Sequence, residues 1–509
     1  MFADVYSMGL CGLDAFTVHV ECDISQGMPS FDIVGLPGAA IKESRNRIRA
    51  ALRNIGLEMP VNTITVNLAP ADIKKEGPVY DLPILLSLLL ATGQLYADVR
   101  DCVFAGEMSL TGEIFPVKGI LPMAIEAARL GFKKIFVPSE NSQEASVASG
   151  VEVYGVSGVR ELIDHLTGKC VLSPVKTGEI DFTAAGHQLD FCDVTGQHEA
   201  KRAMEVAAAG GHNILLIGPP GAGKSMLANR LPSILPQMTR EEALETSKIY
   251  SVAGCMPPDT ALITARPFRA PHHTISAAAL AGGGKVPSPG ELSLAHNGVL
   301  FLDELPEFAR NTLEVLRQPL EDQLVTISRV SGTMTFPCSI MLVCAMNPCA
   351  CGYYGHPTKA CICGKKAVEK YLSKISGPLL DRLDLHVEVP PVEYAELSRG
   401  RAEETSAQIR ERVNKARRIQ ESRFADEGIC ANAKMSSPMI HKYCPLTGDA
   451  EQLIHRAYDS LGLSARAYSG LMKIARTIAD MDGEETISSA HIAEAIQYRS
   501  LDRKYWGGE

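Results

Sequence analysis

Long apolar runs, a basic excess, a leader-like N-terminus and a dense set of cysteines are all missing from this chain. The longest apolar run, Leu82 to Ala91, is broken by Pro83 and Ser87 and falls far short of the roughly 20 residues that a membrane-spanning helix needs. No membrane partner is therefore expected. The 50 Lys and Arg residues stand against 59 Asp and Glu, a net charge of −9, which excludes a general attraction for nucleic acid or acidic lipid and requires any such binding to be local. The opening residues, MFADVYSMGL, carry an acid and no basic region, so they do not read as a signal peptide, and the expected location is cytoplasmic. Fourteen cysteines in 509 residues are too sparse for a disulfide scaffold. Most lie singly on apolar segments, where a reduced core thiol is the expected state. Neither an internal repeat nor a low-complexity tract is visible.

What is present is ordinary globular material, 46% hydrophobic and 21% charged, in a length that suits about three domains. Residues 1–165 alternate short β-branched runs (Thr17 to Val20, Ile64 to Asn67, Lys134 to Val137) with helical stretches such as Ala39 to Ile55, the pattern of a mixed α/β domain. Residues 166–189 are polar and punctuated by Gly and Pro, as an inter-domain linker would be. Residues 190–395 alternate strand-like runs (Asn213 to Ile217, Val299 to Leu302, Ser339 to Ala345) with helices, as a parallel α/β sheet does. Residues 396–509 read as helical, with periodic segments Asp449 to Leu461, Ala465 to Ala479 and Ser488 to Ser500.

The strongest motif is GPPGAGKS, running Gly218, Pro219, Pro220, Gly221, Ala222, Gly223, Lys224, Ser225 directly after the apolar NILLI. It fits a strand, a phosphate-wrapping loop and a helix start. Glycines let backbone N–H groups surround the phosphates, Lys224 places a charge on the β and γ groups, and Ser225 can ligate Mg²⁺. The sequence thus calls for ATP and Mg²⁺. A second buried run, GVLFLDE, ends in Asp303, suited to holding Mg²⁺ through water, and Glu304, suited to activating the attacking water. A third, SIMLVCAMN, ends in Asn347, placed to bond the γ-phosphate or that water.

With these three in order the sequence resembles the AAA+ ATPases, and within them the magnesium-chelatase-like branch that includes the YifB/ComM proteins. The resemblance rests on DVTGQHEAKRAMEVAAAGGHNILLIGPPGAGKSMLA, FRAPHHTISAAALAGGG, PGELSLAHNGVLFLDELPEF, LRQPLED, SGPLLDRLDLHVEVP and SARAYSGLMKIARTIADMDG. It implies a P-loop α/β core with a parallel sheet and a C-terminal helical lid, working as a ring, usually a hexamer, with ATP between subunits. It further implies that Arg382 is the arginine finger on the neighbour's γ-phosphate and Arg466 the second sensor arginine, in the lid. A trans arginine is worth about 10³ to 10⁵ in rate. Family likeness favours DNA, single-stranded or branched, as what the ring acts on, in the manner of a branch-migration helicase in recombination of incoming strands. A protein remodeller and a magnesium-chelatase-type motor subunit are the alternatives.

Residues 1–165 resemble the α+β Lon-protease-like domain that precedes the ATPase in this family, through IKESRNRIRAAL, ITVNLAPADIKKEGPVYDLPILLSLL and FAGEMSLTGEIFPVKGILPMAIEAARLG. Active Lon-type proteases place their serine just after a Gly-Pro; here Gly77-Pro78 is followed by Val79, and Leu121 stands where the partner lysine is expected. A Ser-Lys dyad needs a hydroxyl and an amine, so no peptidase chemistry is expected.

Three further features carry candidate chemistry. Cys349, Cys351, Cys361 and Cys363, spaced C-x-C-x9-C-x-C, can present four thiolates to a structural Zn²⁺, or be free thiols or a redox pair; His356 lies between them. Leu324 to Phe336 reads as a hairpin turning at Ser331-Gly332, with Arg329 a candidate DNA contact. PHHTISAAALAGGGK, with Gly282-Gly283-Gly284 and Lys285, is a candidate pore loop or packing element. Residues 396–423 hold eight Arg/Lys and five Glu, read first as a solvated helix face and second as a DNA contact.

Overall fold

The computed structural model describes residues 1–182, 189–284, 286–329, 332–392, 403–461 and 464–506. The chain divides into two compact units. One comprises Met1–Asp181, Thr239–Thr264 and Ser328–Phe336; the other comprises Phe182–Met238, Ala265–Ile327 and Pro337–Glu509. Residues 183–188 of the expected linker, and the expected boundary at 395/396, lie outside the described residues. The stretch before them runs along the first unit, with the Val175 N–H donating to the Val153 carbonyl and the Thr177 hydroxyl to that of Ser146.

The first unit is built on β1 (Phe2–Cys11), β2 (Asp14–Ser25), β3 (Ser30–Val34), β4 (Thr63–Ala69), β5 (Cys102–Phe104), β6 (Lys134–Pro138) and β7 (Glu152–Val156), in the order β3-β4-β2-β1-β5-β6-β7. The sheet is mixed: β1 and β4 run antiparallel to β2, and β5, β6 and β7 run parallel in succession. Along β4, Ile64, Val66 and Leu68 are buried, the two-residue period of a sheet with one face in the core. Helix α1 (Ala39–Ile55) buries Ile41, Ser44, Ile48, Ala51 and Leu52 and stops at Gly56, whose φ of 77° is a left-handed cap. Helix α2 (Asp81–Ala91) is the broken apolar run of the sequence. Nearly every side chain on it is buried, so its apolar residues serve as a core helix. Asp81, fully buried at its start, accepts from Ser44 and from Arg47 Nε at 2.6 Å and Nη2 at 2.9 Å, which ties α1 to α2. Helix α3 (Ile120–Arg129) and the helix Arg240–Ala253 also belong here, and the Gly119 N–H donates to the Ser251 carbonyl at 2.9 Å.

The second unit contains α4 (His198–Gly210), β8 (Ile214–Ile217), α5 (Lys224–Arg230), β9 (Phe268–Arg269), β10 (Val299–Leu302), β11 (Met341–Met346) and β12 (Leu385–Glu388). The five strands are parallel, in the order β9-β10-β11-β8-β12. All residues of β8, β10 and β11 are buried, as in a parallel sheet covered on both faces. Because β8, first in sequence, lies between β11 and β12, the crevice beyond its carboxyl end is where an open α/β sheet offers a ligand site. The C-terminal helices include α6 (Lys365–Leu372), α7 (Ser406–Arg423), α8 (Gly448–Leu461), α9 (Ala465–Asp482) and α10 (Ser489–Gln497). Leu471, Ile474 and Ile478 of α9 point into their core. Asp480, buried there, accepts from Arg423 Nη1 at 2.8 Å, Asn432 Nδ2 at 2.7 Å and Arg476 Nε at 3.0 Å. Among the described residues no helix is long and apolar enough to cross a membrane.

Candidate nucleotide site

A cavity of about 400 Å³ opens beyond the carboxyl ends of β8, β10 and β11, lined by Pro220 to Met226, Asp303, Glu304, Met346 and Asn347. Each of the three sequence motifs contributes to it, because each directly follows one of three neighbouring parallel strands. Gly218 lies so close to the next strand that a Cβ there would sit 2.2 Å from the Val389 carbonyl oxygen. Gly221 and Gly223 have φ of 78° and 91° with open space around them, so backbone conformation, rather than crowding, requires glycine there.

The polar groups of the cavity are matched to one another. Lys224 Nζ donates to the carbonyls of Gly218 at 2.8 Å and Pro219 at 3.0 Å and to Asn347 Oδ1 at 3.1 Å, three oxygens in the place where phosphate oxygens could replace them. Burial pulls the Lys224 ammonium below the ordinary lysine range, opposed by the nearby carboxylates of Asp303 and Glu304. Ser225 Oγ donates to Asp303 Oδ2 at 2.6 Å, a pair of hard oxygen donors that fits Mg²⁺. Glu304 is exposed at the end of β10 with φ of 52°, the left-handed region that non-glycine residues seldom occupy.

The motifs did not single out His273. Its Nδ1 lies 3.4 Å from Glu304 Oε2, and its ring lies 4.0 Å from that of His272. It sits in the PHHTIS stretch, expected from sequence to be a pore loop or packing element. Sheet order is the signal that could have found it: β9 pairs with β10, Phe268 with Val299 and Arg269 with Leu300, so the loop leaving β9 lies beside the loop leaving β10.

Arg382 and Arg466 are brought together, at the other end of the strands. Arg382 Nη2 lies 2.5 Å and Arg466 Nη2 2.7 Å from Glu321 Oε1. Both line a second cleft with Asn213, Ser339, Ile340, Asp384, Lys434 and Lys473. Ile340 precedes β11, and Asp384 precedes β12, where its N–H donates to the Asn213 carbonyl. This cleft is therefore at the amino ends of β8, β11 and β12, while the Lys224 cavity is at the carboxyl ends, about 13 Å away for a four-residue strand. Neither arginine lines the Lys224 cavity.

Three family profiles match this chain: magnesium chelatase, subunit ChlI, over residues 190–397; subunit ChlI of Mg-chelatase over 20–141; and the ChlI C-terminal region over 403–499. Competence protein ComM of Haemophilus influenzae is 43% identical over 508 residues, 98% of each chain. Protein YifB of Escherichia coli K12 is 42% identical over 502 residues, 98% of this chain and 97% of that one. The chain belongs to the YifB/ComM family. As a magnesium-chelatase-like AAA+ ATPase it has the expected α/β core and C-terminal helical region, and the family implies nucleotide and Mg²⁺ and commonly assembles into oligomers.

The chain also matches Lon protease homolog 2, peroxisomal, of Oryza sativa subsp. indica, at 29% identity over 173 residues, 30% of this chain and 19% of that one. Val79 and Leu121 are both buried and offer no nucleophile. On α1, Lys42, Arg45, Arg49 and Arg53 are exposed at helical spacing. None of the four makes an ion pair among the described residues. The charges of α7 are committed differently: Arg412 pairs with Glu205 and Glu404, Arg417 donates to the Ala208 carbonyl, and Arg423 pairs with Asp480. These arginines hold the helices together, and the solvated-face reading fails for them. Arg329 is exposed on the paired strands Leu324–Arg329 and Gly332–Pro337. Lys285 and Ser331 lie outside the described residues. The four Cys Sγ atoms lie within 4.8 Å of one another, and the His356 ring is used within its loop, Nδ1 accepting from the N–H groups of Thr358 and Lys359.

Proposed function

We propose that this YifB/ComM protein is a ring-forming motor, of hexameric type, that couples ATP hydrolysis to movement on single-stranded or branched DNA. The observation that carries the ring is the placement of Arg382 and Arg466 at the strand ends opposite the Lys224 cavity. A guanidinium there cannot serve its own chain's phosphates, whereas a head-to-tail neighbour brings it to the next chain's cavity. Lys224 and the backbone N–H groups of Gly221 to Ser225 bind the triphosphate, and Ser225 with Asp303 would hold Mg²⁺. Mg²⁺ held there would supply charge neutralisation to the phosphates. Glu304 takes the proton of the attacking water, with His273 positioning its carboxylate, and Asn347 reports on the γ-phosphate. Arg382 and Arg466 leave Glu321 for the charge that develops on the neighbour's phosphate.

For the substrate, the relative named a competence protein and the unpaired α1 stripe of Lys42, Arg45, Arg49 and Arg53 support DNA, with Arg329 and Lys285 as further candidate contacts. Four cations on one helix face give a local phosphate-binding surface on a chain whose net charge is −9. The test is ATPase rate with single-stranded DNA, forked DNA, a porphyrin with Mg²⁺, and an unfolded protein. Stimulation by DNA supports this reading. Stimulation by unfolded protein alone makes the chain a protein remodeller, and stimulation by the porphyrin a chelatase motor.

A further inference from the structure

The cysteine loop stands against the nucleotide cavity. Cys349 comes two residues after Asn347, and the loop returns to the chain just before α6. Cys349 Sγ lies 3.3 Å from Cys351 Sγ and 3.7 Å from Cys361 Sγ, and Cys351 lies 3.6 Å from Cys361. A disulfide would bring two sulfurs to about 2 Å and leave the others out. Instead, these three sulfurs converge at near-equal spacings, with Cys363 Sγ within 4.8 Å of each. A tetrahedral Zn²⁺ with Zn–S near 2.3 Å sets its sulfurs about 3.8 Å apart, close to these separations.

Two links join the loop to the cavity. Gly352, with φ of 85°, packs so tightly on the phosphate loop that a Cβ there would lie 2.4 Å from Pro220 Cδ. The second is through the chain itself: Asn347, which lines the cavity, stands two residues before Cys349. The loop thus spans Pro220, Asn347 and the start of α6. Without a metal, four adjacent thiols offer each other only weak hydrogen bonds, and nothing covalent ties the Cys349 arm to the Cys361 arm.

We propose that Cys349, Cys351, Cys361 and Cys363 hold one Zn²⁺, and that this metal clamps loop 349–363 onto Pro220 and Asn347, keeping the phosphate cavity in its binding shape. The second half rests on the nucleotide reading above; the first does not. Full-length protein purified without chelator carries about one zinc per chain by elemental analysis; absence of zinc overturns the site. Mercurial titration then releases that zinc to a chromogenic chelator while a fluorescent ATP analogue reports affinity. Metal loss weakens nucleotide binding about tenfold or more, the scale of effect expected when binding groups shift by a fraction of an ångström to one ångström.

Two variants separate the halves. Cys361→Ser/Cys363→Ser loses zinc and nucleotide affinity together. Gly352→Ala keeps all four thiolates and its zinc, yet pushes on Pro220 and weakens nucleotide binding, so the clamp is tested even where the cysteine variant does not fold. Unchanged affinity both after zinc release and in Gly352→Ala overturns the clamp and leaves a metal site without that role. A zinc-replete parent that binds no ATP analogue overturns the nucleotide reading, and the clamp with it, while the metal count stands.

Discussion

Glu304 ends its strand with φ of 52°, and that backbone twist makes a measurable prediction. A left-handed conformation costs an L residue about 1–2 kcal/mol, and glycine is spared that cost because it has no Cβ. Glycine in turn loses about 0.5–1 kcal/mol relative to alanine through the greater freedom of the unfolded chain. Glu304→Gly should therefore be more stable than Glu304→Ala by the difference, about 0.5–1 kcal/mol. The side chain is exposed and its ion-pair partner among the described residues, His273, is 3.4 Å away, so both variants lose the same weak contact and the comparison isolates the backbone. For a cooperative unit of this size the gap corresponds to roughly 1–2 °C in calorimetry. The internal control is Ala278→Gly, at an exposed position of the helix Ala277–Ala281, where glycine should destabilise by about 0.5–1 kcal/mol. Both Glu304 variants, and Glu304→Gln, should bind ATP with hydrolysis reduced about 10²- to 10⁴-fold. Equal melting of Glu304→Gly and Glu304→Ala, with the control behaving normally, would refute the strain. Parent-like hydrolysis in Glu304→Gln would remove Glu304 as the base.

The same geometry sets the outcome of three other perturbations. Arg382→Ala should bind ATP but not turn it over, and mixing it with Lys224→Ala subunits should restore part of the ATPase activity; no recovery despite subunit exchange would make Arg382 structural. Replacing Lys42, Arg45, Arg49 and Arg53 with Gln should lower the log–log salt slope of single-strand binding by about 3 per chain, at about 0.7 per lost phosphate contact, with basal hydrolysis unchanged; an unaltered slope would leave α1 as a solvated face. Asp480→Ala strands Arg476, which is 1% exposed, and should cost about 3–5 kcal/mol in the melting of the second unit; a change under about 1 kcal/mol would show that solvent reaches that arginine.

Motif chemistry is legible in the sequence wherever the backbone itself demands a residue type. The turns at Gly221 and Gly223 require positive φ, and the buried runs of β8, β10 and β11 end in Gly218, Asp303 and Asn347, so their meeting at one sheet edge follows from parallel strands. Helix α1 is legible residue for residue, from its apolar period, as Ala39 to Ile55. The position of Arg382 is not, because composition does not say which end of a strand a loop occupies; the pairing of Asp384 with Asn213 decides that. The α7 arginines read as solvated in sequence because their partners, Glu205 and Asp480, are 207 and 57 residues away from Arg412 and Arg423. The α1 cations are countable at helical spacing, but only the structure shows that none of them forms an ion pair among the described residues.

In the proposed head-to-tail assembly, the separation of the Lys224 cavity from the Arg382 cleft by the length of a strand gives each chain a giving face and a receiving face. Two such faces cannot both be used up in a pair, so a row of subunits always ends with one cavity uncompleted unless it closes on itself. An open arc of n chains then has n − 1 finished sites, and turnover per chain climbs with arc length until closure. Dilution should abolish hydrolysis at concentrations where each chain still binds ATP. A subunit without its arginine should silence the site next door while its own, finished by the chain on its other side, keeps working.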